Sequence, residues 1–290
     1  TFKSFEAKVD SNLGKLYSRA LELFRYEDEK GFIENITLDF MAMYDEIPYS
    51  GIDFDCSPRI WMRTKVAQDL KAILALNIPT LKIEGTNYDS KDKTDKLLTF
   101  DAIKGSEKDM TVNFQFSTDW PIMMDVVGEE GEALRGKPFT MDNEASRFLM
   151  PLFCLNDYHF VYDIKYPILI TLSKDDEIFQ FAIMAVINNN QPKTNTADIP
   201  PVIEEFSPVC DNNIVQSTVI ASGISTDGST VPLEGVDVSI QCISSKCEIG
   251  KTRLEQTTYS LTEMFPPCLN GQIVAEKEGY HRAKEVVNTN

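Results

Sequence analysis

The first part of the chain places apolar residues at helical spacing. From Phe2 to Phe24 they recur every three or four positions, which predicts an amphipathic helix that starts at the first residue. Two further helices are predicted near Glu29–Tyr44 and Thr64–Asn77. Pro48 and Pro79 follow these segments and prevent the helices from continuing. The chain therefore opens with a helical layer.

The spacing then changes to period two, which predicts β-strands. In Met110–Ser117, for example, Val112 and Phe114 share one face with Phe116, while polar residues take the other face. The other predicted strands are Leu81–Gly85, Leu97–Ile103, Ile122–Val127, Tyr158–Leu172 and Glu177–Ile187. A short acidic loop between the last two is typical of a hairpin, so we predict an α+β fold whose helical N-terminus packs on a mainly antiparallel sheet.

A polar, proline-bearing stretch follows the last of these strands. We place an acidic α+β domain at residues 1–190, a linker at 191–204 and a second domain at 205–290. Beyond the linker, apolar residues no longer recur at helical spacing. Strands are predicted at Ile214–Ser222, Val236–Ile243, Gln256–Leu261 and Gly271–Glu276, separated by Gly, Pro and Asp turns. This pattern predicts a small C-terminal β-sandwich.

The charge balance excludes some classes of partner. The chain carries 45 acidic and 28 basic side chains, a formal net charge of −17, and both predicted domains are acidic. Such a surface repels phosphate backbones and anionic lipid, so neither nucleic acid nor a membrane surface is an expected partner. No run approaches the ~18 consecutive apolar residues of a membrane span.

The cysteines indicate an oxidising compartment. Two of the six fall in the first domain and four in the second, so each domain can pair its cysteines internally. The candidates are Cys56, Cys154, Cys210, Cys242, Cys247 and Cys268. We predict Cys56–Cys154; the other four allow three connectivities, of which we favour Cys210–Cys242 with Cys247–Cys268. The absence of close CxxC pairs argues against zinc, and free thiols in a cytosolic protein remain the alternative.

Catalytic motifs are missing from the sequence. It contains neither Gly-x-Ser-x-Gly, nor His-Glu-x-x-His, nor a Gly-rich phosphate loop. His159 and Asp163 share one face of a predicted strand, but four residues at ~3.3 Å each separate them by about 13 Å, too far for a dyad. We therefore predict a protein that is not an enzyme and has no cofactor.

Two polar features are candidates for a bound ion and a modification. The first is an acidic loop that holds Asp45, Glu46, Asp53 and Asp55. Oxygen-rich loops of this kind bind Ca²⁺, although the spacing fits no EF-hand and a solvated loop is the simpler interpretation. The second is Asn35, which begins the one N-glycosylation sequon of the chain.

Two apolar features are candidates for contact with a ligand or a partner. Four aromatic residues near strand ends, Trp61, Trp120, Tyr158 and Tyr162, could line a groove, but core packing is the favoured interpretation. The apolar stripe of the first helix packs either on its own domain or on another copy of the chain, and self-packing is favoured.

Part of the second domain resembles a known module. Val231-Pro-Leu-Glu-Gly-Val-Asp-Val-Ser-Ile240 and Gly271-Gln-Ile-Val-Ala-Glu-Lys-Glu-Gly-Tyr280 are similar to two strands of carboxypeptidase regulatory-like domains. The resemblance covers Val215–Val287 and implies an immunoglobulin-like or transthyretin-like sandwich that is not itself catalytic. The cysteines of this region depart from the pattern and imply an added covalent clamp.

The whole chain resembles an ectodomain family of DPANN archaea whose function is not characterised. The phrases that carry the resemblance are Tyr44-Asp-Glu-Ile-Pro-Tyr-Ser-Gly-Ile-Asp-Phe-Asp-Cys56 with Trp61, Asn77-Ile-Pro79, Ile83-Glu-Gly-Thr86, Asp119-Trp-Pro121, Cys154-Leu-Asn-Asp-Tyr-His-Phe-Val-Tyr-Asp163 with Tyr166-Pro167, and Phe265-Pro-Pro-Cys-Leu-Asn-Gly271. In that family a hydrophobic segment precedes such a chain, so the resemblance implies a membrane anchor upstream of Thr1. It supplies no catalytic residues.

These observations lead to one leading function and two alternatives. We expect a non-enzymatic, extracellular, membrane-anchored protein of an archaeal cell surface that makes structural or adhesive contacts with a protein or a surface glycan. The first alternative is a subunit of a surface filament or layer that assembles through the N-terminal helix. The second is an enzyme that acts on surface polymers.

Overall fold

The computed structural model describes residues 10–44, 46–54, 56–90, 95–138, 154–192, 209–224, 228–243, 245–255 and 258–289. The fold is α+β with mostly antiparallel sheets, as predicted. Among the described strands, the parallel exception is the short pair formed by Lys82–Ile83 and Thr99–Phe100. In the part of the chain that the structure describes, no helix is both long and apolar enough to cross a membrane.

The described residues form three α-helices, which are α1 Leu13–Lys30, α2 Phe32–Met43 and α3 Arg63–Asn77. Helix α1 extends further towards the C-terminus than the predicted Phe2–Phe24, and residues 1–9 of that prediction lie outside the described residues. Gly31 ends α1 with a left-handed φ of 57°, and its N–H donates to the carbonyl of Glu27. Glycine adopts this φ without strain, so α1 ends and α2 begins within one residue.

Twelve strands lie in the described portion of the first part of the chain. They are β1 Ser50–Phe54, β2 Ile60–Met62, β3 Lys82–Ile83, β4 Thr99–Phe100, β5 Met110–Gln115, β6 Met123–Val126, β7 Ala133–Arg135, β8 Lys137–Pro138, β9 Leu155–His159, β10 Tyr162–Lys174, β11 Glu177–Asn188 and β12 Gln191–Pro192. The main sheet has the order β12–β11–β10–β5, with β6 also paired to β10. Smaller sheets are β1–β9–β8, β2–β7 and β3–β4.

The helices cover one face of the main sheet. Alternate residues of β10, from Tyr162 to Leu172, are buried against this face. Leu16 and Leu23 of α1 and Phe40 of α2 are buried in the same cluster. Each such side chain stabilises the fold by roughly 1.5–3 kcal/mol, so the helical stripes seen in the sequence hold the layers together.

Three strand predictions differ from the structure. The predicted strand Tyr158–Leu172 is wrong as one element, because β9 pairs with β1 while β10 pairs with β11, and Phe160 and Val161 separate them. The Phe160 N–H donates to Tyr49 across this break. In the predicted strand Leu97–Ile103, the first two residues end the 3-10 helix Asp95–Leu98, and only the next two form a strand, β4. In Leu81–Gly85 only β3 forms, because the chain turns at once.

Nine strands follow among the residues that the structure describes in the second part. They are β13 Val215–Val219, β14 Ser222–Ile224, β15 Thr230–Pro232, β16 Asp237–Cys242, β17 Ser245–Lys251, β18 Arg253–Glu255, β19 Thr258–Phe265, β20 Gly271–Glu276 and β21 Ala283–Val287. They form the sheets β17–β16–β20–β21, β13–β19–β18 and β14–β15. The immunoglobulin-like or transthyretin-like sandwich stays a prediction. Gln191 and Pro192, placed in the linker by the sequence, pair with β11 in the main sheet.

A buried polar network joins the two parts of the chain. The Asn270 side-chain amide donates to the carbonyl of Leu76 at 3.3 Å and to the side-chain oxygen of Asn77 at 3.2 Å. Asn77 in turn donates to the hydroxyl of Tyr44. Ile243 also donates its N–H to the sulfur of Met43. The two parts therefore share a packed interface.

Replacing Asn270 with alanine is expected to lower the free energy of unfolding by about 1–3 kcal/mol, because buried partners lose their hydrogen bonds. Asn270 also has a left-handed φ of 52°, which asparagine tolerates better than alanine. Urea denaturation measures the change. The exposed Asn213→Ala is the matched control, and equal stability of the two variants would show that the network contributes nothing.

Candidate functional site

The described cysteines form three disulfides, which indicate an oxidising environment. Cys56–Cys154 is confirmed. The predicted pairs Cys210–Cys242 and Cys247–Cys268 are wrong, because the bonds are Cys210–Cys247 and Cys242–Cys268. The pairing follows from which strands lie next to each cysteine in the folded protein. Cys268 leads into β20, which pairs with the strand of Cys242, while the 3-10 helix that holds Cys210 packs on β17, the strand of Cys247.

Gly271 makes room for one of these bonds. A Cβ atom at this position would lie 2.5 Å from the sulfur of Cys268. The glycine of the Cys-Leu-Asn-Gly phrase therefore has a structural role beside the Cys242–Cys268 disulfide.

His159 has no arrangement for acid–base catalysis with Asp163. It is exposed at the end of β9 and meets the ring of Tyr49 at a centroid distance of 6.2 Å. Asp163 lies on β10, where its carboxylate accepts the N–H of Asn189 at 2.8 Å. The two residues therefore lie on different strands and contact different neighbours.

The four aromatic candidates do not converge on one groove. Trp61 packs on Tyr158 at a centroid distance of 4.7 Å, with the guanidinium of Arg59 over its ring at 5.0 Å. Trp120 belongs to a separate cluster around Phe116. Tyr162 is buried and donates its hydroxyl to the carbonyl of Pro48. Core packing accounts for these contacts, as the sequence favoured.

The remaining sequence candidates lie at the surface or outside the described region. Asp45, Asp55 and the side chain of Asp53 lie outside the described residues, so the acidic loop carries no structural argument. Among the residues that are described, no three His, Cys, Asp or Glu side chains come together as a metal site. Asn35 is exposed on α2, and its side-chain amide donates to the carbonyl of Lys30.

A shallow depression of about 310 Å³ lies beside β16, β20 and the turn that follows β20. It is lined by Asp237, Glu276, Lys277, Glu278, Tyr280 and Arg282. Asp237 is paired with Lys251, and Glu276 is paired with Arg282. Because these charges already neutralise one another at an open surface, we assign no site there.

Two buried carboxyl groups, Glu27 of α1 and Glu34 of α2, hydrogen-bond each other. Burial, with the neighbouring Glu34 as a second cause, raises the pKa of Glu27 to about 10. A proton on Glu27 therefore lies between the two groups at neutral pH. One oxygen of each carboxyl has no other partner, and the shared proton satisfies both.

The carboxyl pair ties the helices to the end of β11. Glu34 accepts the N–H of Val186 at 2.9 Å, and Glu27 accepts the N–H of Ile33 at 3.3 Å. Nearby, Tyr166 and Thr37 share a buried hydrogen bond of 2.5 Å. The sequence contains no signal for this pair, since both residues occupy helix positions where glutamate is common and Gly31 interrupts the period between them.

Because the N–H of Val186 donates to Glu34, the backbone N–H and C=O groups of Val186 lie in the plane of the sheet and point away from β10. In the β10–β11 register, alternate residues of β11 bond to β10, so Ile178, Gln180, Ala182 and Met184 share the outward direction of Val186. Among the described residues, none supplies a partner for the outward N–H and C=O groups of these four. Within the part of the chain that the structure describes, Ile178–Met184 is therefore an open sheet edge.

This open edge lacks the features that normally protect an edge strand. Ile178-Phe-Gln-Phe-Ala-Ile-Met184 contains no charge and no proline, and its register with β10 is regular. Ile178 and Met184 are 61% and 57% exposed. The sequence offered one usable signal, the charge-free run inside Glu177–Ile187, but it did not show that the strand lies at an edge. The open edge is the best candidate for an interaction surface.

Comparison with protein-family models, with curated proteins and with solved structures found no match for this chain.

Proposed function

We propose that this chain is a non-enzymatic extracellular domain of a membrane-anchored archaeal cell-surface protein that makes structural or adhesive contacts. The observation that carries the proposal is the set of three internal disulfides, one in the first part of the chain and two in the second. Such bonds persist in oxidising compartments and are rare in the cytosol of most organisms.

Two further properties support a contact role. The net charge of −17 favours solubility and repels anionic polymers. The open edge Ile178–Met184 offers backbone groups that a partner can bind. The archaeal source and the anchor rest on the family resemblance of the sequence.

The proposal is tested on cells that produce the full-length protein. A membrane-impermeant biotin reagent is expected to label the protein on intact cells, and alkylation without reductant is expected to modify none of its six cysteines. After reduction all six react, which serves as the control for access of the reagent. Labelling only after lysis, or free thiols before reduction, would contradict an extracellular role.

A further inference from the structure

The sequon Asn35-Ile-Thr37 lies in the first half of α2, a helix that is buried on most of its sides. Asn35 is exposed, whereas its neighbours Glu34 and Ile36 are each only 5% exposed. A group attached to the side chain of Asn35 therefore extends into solvent. It displaces none of the side chains that hold α2 on the main sheet.

The hydrogen bond of the Asn35 side chain is compatible with an attached sugar. The amide nitrogen donates one hydrogen to the carbonyl of Lys30 at 3.1 Å. A side-chain amide nitrogen carries two hydrogens, and an N-linked sugar replaces only one of them. The modified side chain therefore keeps a donor for the carbonyl at the end of α1.

Thr37, the other residue that defines the sequon, is hidden in the folded protein. Its side chain is 0% exposed, and its hydroxyl donates to the carbonyl of Ile33 at 2.7 Å and shares a hydrogen bond with the hydroxyl of Tyr166. Residues two apart on an α-helix do not share a face. The folded helix therefore presents Asn35 to solvent and Thr37 to the core, and an enzyme that must bind both side chains has no access to the pair.

The order of synthesis exposes the sequon before the fold covers it. Tyr166 follows Thr37 by 129 residues in the chain. At ~5–20 residues per second, the partner of the Thr37 hydroxyl is made about 6–26 s after the sequon. During that time the 12 residues of α2 have no β10 to pack on, and an isolated helix of this length is marginal in water. The sequon is therefore accessible in the growing chain.

We propose that Asn35 carries an N-linked glycan, attached to the growing chain before α2 packs on β10. In this reaction the amide nitrogen of Asn35 forms a bond to C1 of the first sugar of a lipid-pyrophosphate-linked oligosaccharide. The bond from C1 to the phosphate oxygen breaks, the lipid pyrophosphate leaves with its electron pair, and the amide loses one proton to a base. The inference rests on the proposed function, because the modification belongs to secreted and surface proteins.

The first test is the mass of the tryptic peptide Gly31–Arg59, which contains no internal Lys or Arg, from full-length protein of the cells that make it naturally. An added mass of sugar units on Asn35 is expected. Asn35→Gln should abolish the added mass because it removes the acceptor, whereas Thr37→Ser keeps a hydroxyl and should retain it. The matched control is Asn213→Gln, which replaces an exposed asparagine outside any sequon and should change nothing at Asn35.

The second test compares two acceptors for glycan transfer. One is the folded, disulfide-bonded protein made in cells that lack glycan transfer, and the other is a synthetic peptide of residues Phe32–Met43. Each is incubated with a purified oligosaccharyltransferase and its lipid-pyrophosphate-linked oligosaccharide. The peptide is expected to be modified at least about tenfold faster, because the folded protein must open locally before the hydroxyl of Thr37 is exposed.

Several results would overturn the inference. An unmodified Asn35 in protein that biotin labels on intact cells would exclude the glycan and leave the proposed function standing. A peptide that the enzyme does not modify would show that this sequon is not an acceptor. Equal rates for peptide and folded protein would show that attachment does not have to precede folding. Protein that biotin labels only after lysis would contradict the proposed function itself, so the two failures are distinguishable.

Discussion

Replacing Cys56 and Cys154 together with serine is expected to lower the free energy of unfolding by about 4–5 kcal/mol. The two residues are 98 positions apart, and closing a loop of ~100 residues restricts the unfolded chain by about 4.7 kcal/mol. The bond lies beside the β1–β9 ladder, where Phe54 pairs with Leu155, so its loss also frees one end of that ladder.

Urea denaturation of the double variant measures this effect. The matched control is the double serine variant of Cys210 and Cys247, a loop of 37 positions. Loop entropy grows with the logarithm of length, so the control is expected to lose about 1 kcal/mol less. A smaller loss for Cys56 and Cys154 than for the control would show that the unfolded chain already holds the ends of the longer loop together.

The stability of the wild-type protein is expected to fall as the pH rises from about 6.5 to 9, and the variant Glu27→Gln is expected to remove most of this fall. The pKa of Glu27 is raised to about 10 in the folded protein, from an ordinary value of 4.5. Between these values the folded state holds a proton that the unfolded state releases. Rising pH therefore favours unfolding, by up to about 1.4 kcal/mol per pH unit.

Between pH 6.5 and 9 the change in stability comes mainly from Glu27 and not from the other buried titrating groups. Burial raises the pKa of Asp39 to about 6, so most of its contribution has passed at the lower end of the range. Burial also raises the pKa of Tyr162 and of Tyr166, which remain protonated throughout the range. In Glu27→Gln the amide keeps a donor for Glu34 without a titrating proton.

Urea denaturation at intervals of one pH unit measures this slope. The exposed Glu285→Gln is the control and should keep the wild-type pH dependence. A wild-type protein whose stability does not change between pH 6.5 and 9 would show that the carboxyl pair is not protonated.

The same pair predicts that Glu34→Ala destabilises the fold, because the N–H of Val186 then loses its acceptor.

The sequence alone determined the spacing of apolar residues in each element and the number of cysteines in each part of the chain. The stripes that became α1, α2 and α3 and the alternation of β5, β10 and β11 depend only on the backbone repeat of each element. Two cysteines in the first part of the chain left one internal pairing, so Cys56–Cys154 could be predicted. The acidic surface follows directly from composition.

Features that depend on neighbours in space were decided by the tertiary structure. Four cysteines in the second part allowed three pairings, and only the order of β17, β16 and β20 selected one of them. Glu27 and Glu34 met because Gly31 turns α2 against α1. The local sequence of Ile178–Met184 predicts a strand like any other. It became a candidate site because no described strand pairs with its outer edge. No local sequence pattern shows whether a strand lies at the edge of a sheet.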